Sequence, residues 1–238
     1  MNPMGENYGG LSTGRRASIR EEACKWLNTV YFEGRKFLSG DASPELVVRE
    51  AAEIVITRFF DYVIDKPPEI PSGRFGFQTA GVIDKAVRSI TIAQNFPIPV
   101  RRFTIAHELG HLVLHRGMNY HRDRPLDGSQ LGKISKHERE ANLFAAEFRM
   151  PTNLLRTHVY ECFGGPIDGS SADENLCFFV NASSGRRLTV QTFRGMSVLE
   201  RAKLIASVAT PQFESLQQRY MVSRTAMAIQ LRDLRLVT

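Results

Sequence analysis

One stretch constrains this chain more than any other: His107-Glu108-Leu109-Gly110-His111, preceded by Phe103-Thr104-Ile105-Ala106 and followed by Leu112-Val113-Leu114. Apolar residues on both sides of a polar triplet fit a helix buried in a core. Four residues make slightly more than one turn, so His107 and His111 share a face, about 6 Å apart along the axis. Two imidazoles so placed can reach one ion through bonds of roughly 2.0–2.1 Å. Glu108 is offset by about one-third of a turn. That is too far round for a natural third ligand, but near enough to take a proton from a water on the ion and so serve as general base. The plainer alternative is an amphipathic helix with two hydrogen-bonded histidines. Gly110 inside a helix costs about 1 kcal/mol against Ala, which implies a close approach there.

A zinc site needs a third protein ligand. Downstream, His137-Glu138-Arg139-Glu140-Ala141-Asn142-Leu143-Phe144-Ala145-Ala146-Glu147-Phe148-Arg149-Met150-Pro151 predicts a second helix. Leu143, Ala146 and Met150, with Ala141, Ala145 and Phe148 beside them, supply its buried stripe, and Pro151 stops it. Glu138 and Asn142 lie four apart on one face, suiting a carboxylate ligand and an amide that hydrogen-bonds an imidazole. Glu140 lies roughly 200° round the wheel from Glu138, so the two cannot both be ligands. Glu138 is the favoured one, although a solvated, charged helix start would look similar.

The run FTIAHELGHLVLH, followed by EREANLFAAEFRMP, resembles the ImmA/IrrE metallopeptidases, relatives of the thermolysin-like gluzincins. The upstream Gly81-Val82-Ile83-Asp84 and Ser89-Ile90-Thr91-Ile92 resemble the family's short strand before the active-site helix, and the likeness covers roughly Ala52 to Pro151. It implies zinc held by His107, His111 and Glu138, with manganese as the other candidate, and Glu108 as the catalytic residue. It also implies cleavage of a helix-turn-helix repressor, which switches on mobile-element or stress genes. Phe148-Arg149 departs from the family, which usually has two apolar residues before Met-Pro.

The rest of the chain predicts an α+β fold of helices on a short sheet, then a helical extension; the resemblance implies that the first part is a small gluzincin-like domain. Residues 1–20 read as a flexible tail, 21–160 as the metallopeptidase domain and 161–238 as a loop-rich and helical region. Helices are expected over 21–38 and 43–60, the second opening on Ser43-Pro44-Glu45. Asp65 to Pro71 reads as a loop. Strands are expected at Phe75–Thr79, Val82-Ile83 and Ser89–Ala93. Arg116 to Ser135 reads as a loop over the cleft. His115, before it, and Tyr120 and His121, within it, are candidate donors to an oxyanion, against a plainer reading as surface residues. His137 and His158 also read as surface residues. After a helix over 153–162, Gly164 to Arg187 reads as irregular around Cys177-Phe178-Phe179-Val180. An edge strand is expected at 188–193, and helices at 197–207 and 211–220.

Three cysteines with no C-x-x-C argue against a disulfide framework or a cysteine zinc site, and for a reducing compartment. Residues 1–18 contain no apolar core of a signal peptide, and no run approaches a membrane span, so a cytoplasmic protein without membrane contact is expected. The end of the chain supplies the rival reading. Leu216 to Ser223 and Thr225 to Leu234 have a helix-turn-helix rhythm, and from Arg186 onward nine basic residues face three acidic ones. Such a module could bind DNA phosphates, though weakly. The two readings are thus a zinc endopeptidase and a non-proteolytic regulator, antitoxin-like, that docks on DNA or a partner. An intact Glu108 favours the first, because a binding module needs no base beside the metal.

Overall fold

The structure is a computed structural model that describes residues 10–38, 43–70, 79–115, 120–122 and 135–238, with the backbone alone at 120–122. It divides into two compact units, Asn7–Arg149 and Met150–Thr238.

In the first unit, helix α1 (Thr13–Thr29) begins where a flexible tail was expected. Its start is fixed locally: Ser12 accepts the backbone N–H of Arg15 at 3.2 Å. Its hold on the core comes from Ile19, Ala23 and Leu27, four apart and buried. Fully burying a side chain like Ile19 contributes about 1.5–3 kcal/mol. The stretch reads as tail in the sequence, yet Arg15 and Arg20 reach Glu140 and Glu147, at 2.8 and 3.6 Å. The chain leaves α1 through a π-helical turn, Val30–Gly34, and a 3₁₀ turn, Arg35–Phe37. Helix α2 (Pro44–Ile54) is capped by Ser43, as expected, and also ends in a π-helical turn, Val55–Phe59.

The sheet is built from β1 (Val63–Asp65), β2 (Gly81–Asp84), β3 (Ser89–Ile92) and β4 (Tyr120–Arg122), in the order β1-β3-β2-β4. Its first strand starts ahead of the expected loop, and its last falls inside the loop expected over the cleft. β1 runs parallel to β3; the other pairings are antiparallel, with Ile83 opposite Ile90. Ile83, Ile90 and Ile92 are fully buried. The strand expected at Phe75–Thr79 lies outside the described residues except for Thr79.

Helix α3 (Ile98–Leu114) packs against this sheet and helix α4 (Lys136–Arg149) against α3. At Gly110 the two helices come so close that a β-carbon would lie 3.2 Å from Ala141 Cα. The atypical Phe148-Arg149 pair is accommodated inside. Phe148 stacks on Phe144 at 5.5 Å. Arg149, 1 % exposed, donates to the Val48 carbonyl and, at 2.9 Å, to that of Arg49 on α2. Burial pulls its pKa down to about 9.

The second unit contains α5 (Thr152–Phe163), α6 (Glu174–Ser184), α7 (Val190–Gly195), α8 (Val198–Ile205), α9 (Leu216–Arg219) and α10 (Arg224–Asp233). Four expectations fail here. The apolar run Cys177 to Val180 belongs to α6, which Asp173 caps at Leu176 N (2.8 Å) and Gly185 ends in a left-handed conformation. The edge strand expected at 188–193 is α7, opened by Thr189 accepting from Thr192 N at 3.1 Å. The helix expected over 211–220 shrinks to the single turn of α9. Ser223 caps α10, as the helix-turn-helix rhythm implies, and α10, with Met227, Ala228 and Leu231 buried, packs on α8. His158 is buried and shares a 2.9 Å hydrogen bond with Tyr220 Oη, so it is no surface residue.

Candidate metal centre

His107 and His111 project from one face of α3 with their Nε2 atoms 2.9 Å apart. Across from them, near the start of α4, Glu138 places one carboxylate oxygen 3.3 Å from His107 Nε2 and the other 3.5 Å from His111 Nε2. One donor atom from each residue lies within 4.8 Å of the others, and this is the cluster able to hold an ion among the described residues. The fit can be tested on these separations. Tetrahedral donors about 2.0–2.1 Å from zinc stand roughly 3.3 Å from one another. The two imidazole–carboxylate separations match, each to a different oxygen of Glu138, and the imidazole pair is closer by a few tenths of an ångström. Nitrogen and carboxylate donors without thiolate suit zinc, with manganese also compatible. Both imidazoles are 1 % exposed and Glu138 is half-buried, so the donor set is open on one side.

The outer nitrogens of the histidines are engaged. His107 Nδ1 lies 2.9 Å from Asn142 Oδ1, the amide singled out by its spacing from Glu138. His111 Nδ1 lies 3.0 Å from His115 Nδ1. His115 Nε2 in turn lies 3.0 Å from Glu140 Oε2, and Arg15 grips both oxygens of Glu140 at 2.9 and 2.8 Å. His115 was expected at the surface or on an oxyanion; it is 7 % exposed and points into this chain. His137 stays exposed, its ring against that of His115. The Arg15 hydrogen bonds hold the Glu140 carboxyl down at about 2, while burial pulls His115 below its ordinary value.

Glu108 is fully buried. Gly81 on β2 makes room for it: a β-carbon there would lie 2.9 Å from Glu108 Oε1 and 2.5 Å from Thr104 Cγ2. Lys85, in the β2–β3 turn, donates to the carbonyls of His111, at 3.2 Å, and His115, so it closes the carboxyl end of α3. Burial lowers its pKa. Tyr120 and His121 pair in register with Asp84 and Ile83 on β2, but their side chains lie outside the described residues.

Sequence reasoning brought together His107, Glu108, His111, Glu138 and Asn142, and missed Lys85, Arg15 and the inward role of His115 and Glu140. A signal for His115 was present, since positions 107, 111 and 115 follow one another at four-residue steps along a single helical face. No local signal ties Arg15 to Glu140, which are 125 residues apart.

Among the described residues, no helix is long and apolar enough to cross a membrane. No curated protein matches the chain at a significant level. Residues 67–161 match the family model Peptidase_M78, described as the IrrE N-terminal-like domain, and over that segment the chain is similar to the ImmA/IrrE metallopeptidases.

Proposed function

We propose that the protein is a zinc-dependent endopeptidase of the cytoplasm whose substrate is a helix-turn-helix repressor, with His107, His111 and Glu138 as metal ligands and Glu108 as general base. A zinc ion in that donor set would polarise a peptide carbonyl and lower the pKa of a water toward about 7. Glu108 then accepts the water's proton and returns it to the leaving amine. The observation that carries this reading is the position of Glu108: a carboxylate fully buried one residue from the first histidine, with Gly81 leaving room beside it. A carboxylate beside the first ligand histidine is placed to accept a proton from a water held there, and a pure binding module would have no use for such a base. The repressor as substrate rests on the family resemblance alone.

Glu108→Gln keeps the shape of the side chain but cannot take the proton. Cleavage of a candidate repressor from a neighbouring gene, followed by gel and mass spectrometry, should fall by roughly 10²–10⁴. Zinc content should stay near one per chain, because no ligand has changed. Equal cleavage by both proteins removes Glu108 from the mechanism. If neither cuts, yet both release the repressor from DNA, the non-proteolytic reading replaces this one.

A further inference from the structure

We propose that His115, Glu140 and Arg15 are positioning residues of the metal centre: a hydrogen-bonded relay that fixes the tautomer and orientation of His111 and makes helix α1 part of the site. The proposal rests on the ligand set given above. It follows from proton bookkeeping along three contacts. When His111 turns Nε2 inward as a donor to the ion, its neutral ring carries its proton on Nδ1. That N–H points at His115 Nδ1, 3.0 Å away, which must therefore accept. A neutral His115 that accepts on Nδ1 carries its proton on Nε2, and that N–H points at Glu140 Oε2, 3.0 Å away. Ionised Glu140 has no proton to donate and so must accept, and it is kept in place by two hydrogen bonds from Arg15 at 2.9 and 2.8 Å. Every link has one permitted direction, so the carboxylate at one end sets the tautomer at the other.

The two ligand histidines are thus supported differently. His107 meets the Asn142 amide oxygen directly, at 2.9 Å. His111 is supported through an intermediate ring, and the fixed end of its support lies on α1, far outside the matched residues 67–161. His115 and Glu140 are 4 % and 3 % exposed at the side chain, so water does not readily replace either. Arg15 is 34 % exposed, which leaves it as the weakest link. Outer partners of metal-bound histidines typically change metal affinity by roughly 10–100-fold when removed.

The test uses the full chain and two substitutions at His115. Asn carries its Oδ1 the same number of bonds from the backbone as His carries Nδ1, so His115→Asn keeps an acceptor for His111, whereas His115→Leu keeps only bulk. Zinc affinity, measured by chelator competition, should fall roughly 10–100-fold in His115→Leu and recover to within a few-fold of wild type in His115→Asn. Glu140→Gln, which should fold because shape and size are kept, is expected to weaken zinc binding roughly 10-fold and to alter the visible spectrum of the cobalt-loaded protein. In the metal-free protein, ¹⁵N spectra of the imidazoles should show His115 as a single Nε2–H tautomer, and a mixture in Glu140→Gln. Zinc affinities within two-fold of wild type in His115→Leu and Glu140→Gln overturn the relay. So does an Asn variant as weak as the Leu variant, which would leave packing as the cause. A wild-type chain that takes up no zinc would sink the ligand assignment instead, and the ¹⁵N tautomers would still decide the hydrogen-bond order.

Discussion

Gly110 of α3 and Ala141 of α4 touch backbone to backbone: a β-carbon on Gly110 would lie 3.2 Å from both Cα and the carbonyl oxygen of Ala141. This contact brings the helix of the two histidines against the helix of Glu138, and it explains why a residue costing about 1 kcal/mol in a helix sits there. Two effects oppose each other in Gly110→Ala. Helix propensity gains about 1 kcal/mol, while overpacking a close contact costs about 1–3 kcal/mol. Backbone cannot swing aside as a long side chain can, so the net expectation is a loss of about 1 kcal/mol. Zinc affinity should also fall, since the helices carrying opposite ligands are pushed apart. Denaturant unfolding of the metal-free variant and chelator competition measure the two; a variant more stable than wild type with unchanged affinity would refute the close contact.

Removing the metal should lower stability by mass action. At free zinc one hundred times its dissociation constant, a ligand that binds only the folded state contributes about 2.7 kcal/mol. Thermal scans with and without a strong chelator should therefore separate for wild type. They should coincide for His111→Ala and for Glu138→Ala, which each lose a donor 3.5 Å from the other. Glu138→Ala that keeps its zinc-dependent shift would move the carboxylate ligand elsewhere.

The Arg15–Glu140 pair predicts an acid-sensitive component of stability. Glu140 is held at about 2 against an ordinary 4.5, first by the Arg15 hydrogen bonds. A depressed carboxyl pKa stabilises the fold above the unfolded value. Its contribution is therefore complete above about pH 4.5 and disappears as pH falls toward 2. Water reaches Arg15, so the pair is expected to contribute about 1 kcal/mol rather than the roughly 3 kcal/mol of the full shift. Metal-free Arg15→Gln should be less stable than wild type at pH 6, with the gap narrowing steadily below pH 4.5. A gap independent of pH would mean that Arg15 acts through packing alone.

The basic end of the chain should bind DNA only weakly. Arg219 lies 3.4 Å from Glu161 and Arg232 2.9 Å from Asp233, so part of the positive charge meets carboxylates within the same unit. Binding to duplex DNA should be sequence-independent and fall steeply between low and physiological salt, as counterion release requires. Filter binding or anisotropy across a salt series checks this. A tight complex at physiological salt, lost in Arg224→Ala, would favour the rival regulator.

How much of this was legible beforehand depends on the range of the interaction. His107, His111 and Glu108 are set by spacing within one helix, and Asn142 by spacing from Glu138; local geometry carries that information. The α+β layout was also legible, because β-branched Val82-Ile83 and Ser89 to Ile92 alternate toward a buried face. What failed was decided by caps or by distant partners. Cys177 to Val180 is an apolar run too short to tell helix from strand, and its two phenylalanines are in fact exposed, Phe178 at 68 % and Phe179 at 45 %. Asp173 and Gly185 at its ends held the better clue. Arg15 looked like tail because a cation gives no sign of a carboxylate 125 positions away.

Arg149 draws a boundary that similarity does not. Its guanidinium is sealed inside the matched segment, yet the carbonyls that receive it belong to Val48 and Arg49, before residue 67, where the match begins. An excised 67–161 fragment would take those two carbonyls from Arg149 and Arg15 from Glu140. The segment that similarity picks out and the unit that packs together are therefore different stretches of this protein, since contacts from before residue 67 hold residues within it. A researcher trimming the chain for expression, or grafting the centre into another scaffold, would have to carry the first two helices along with the motif.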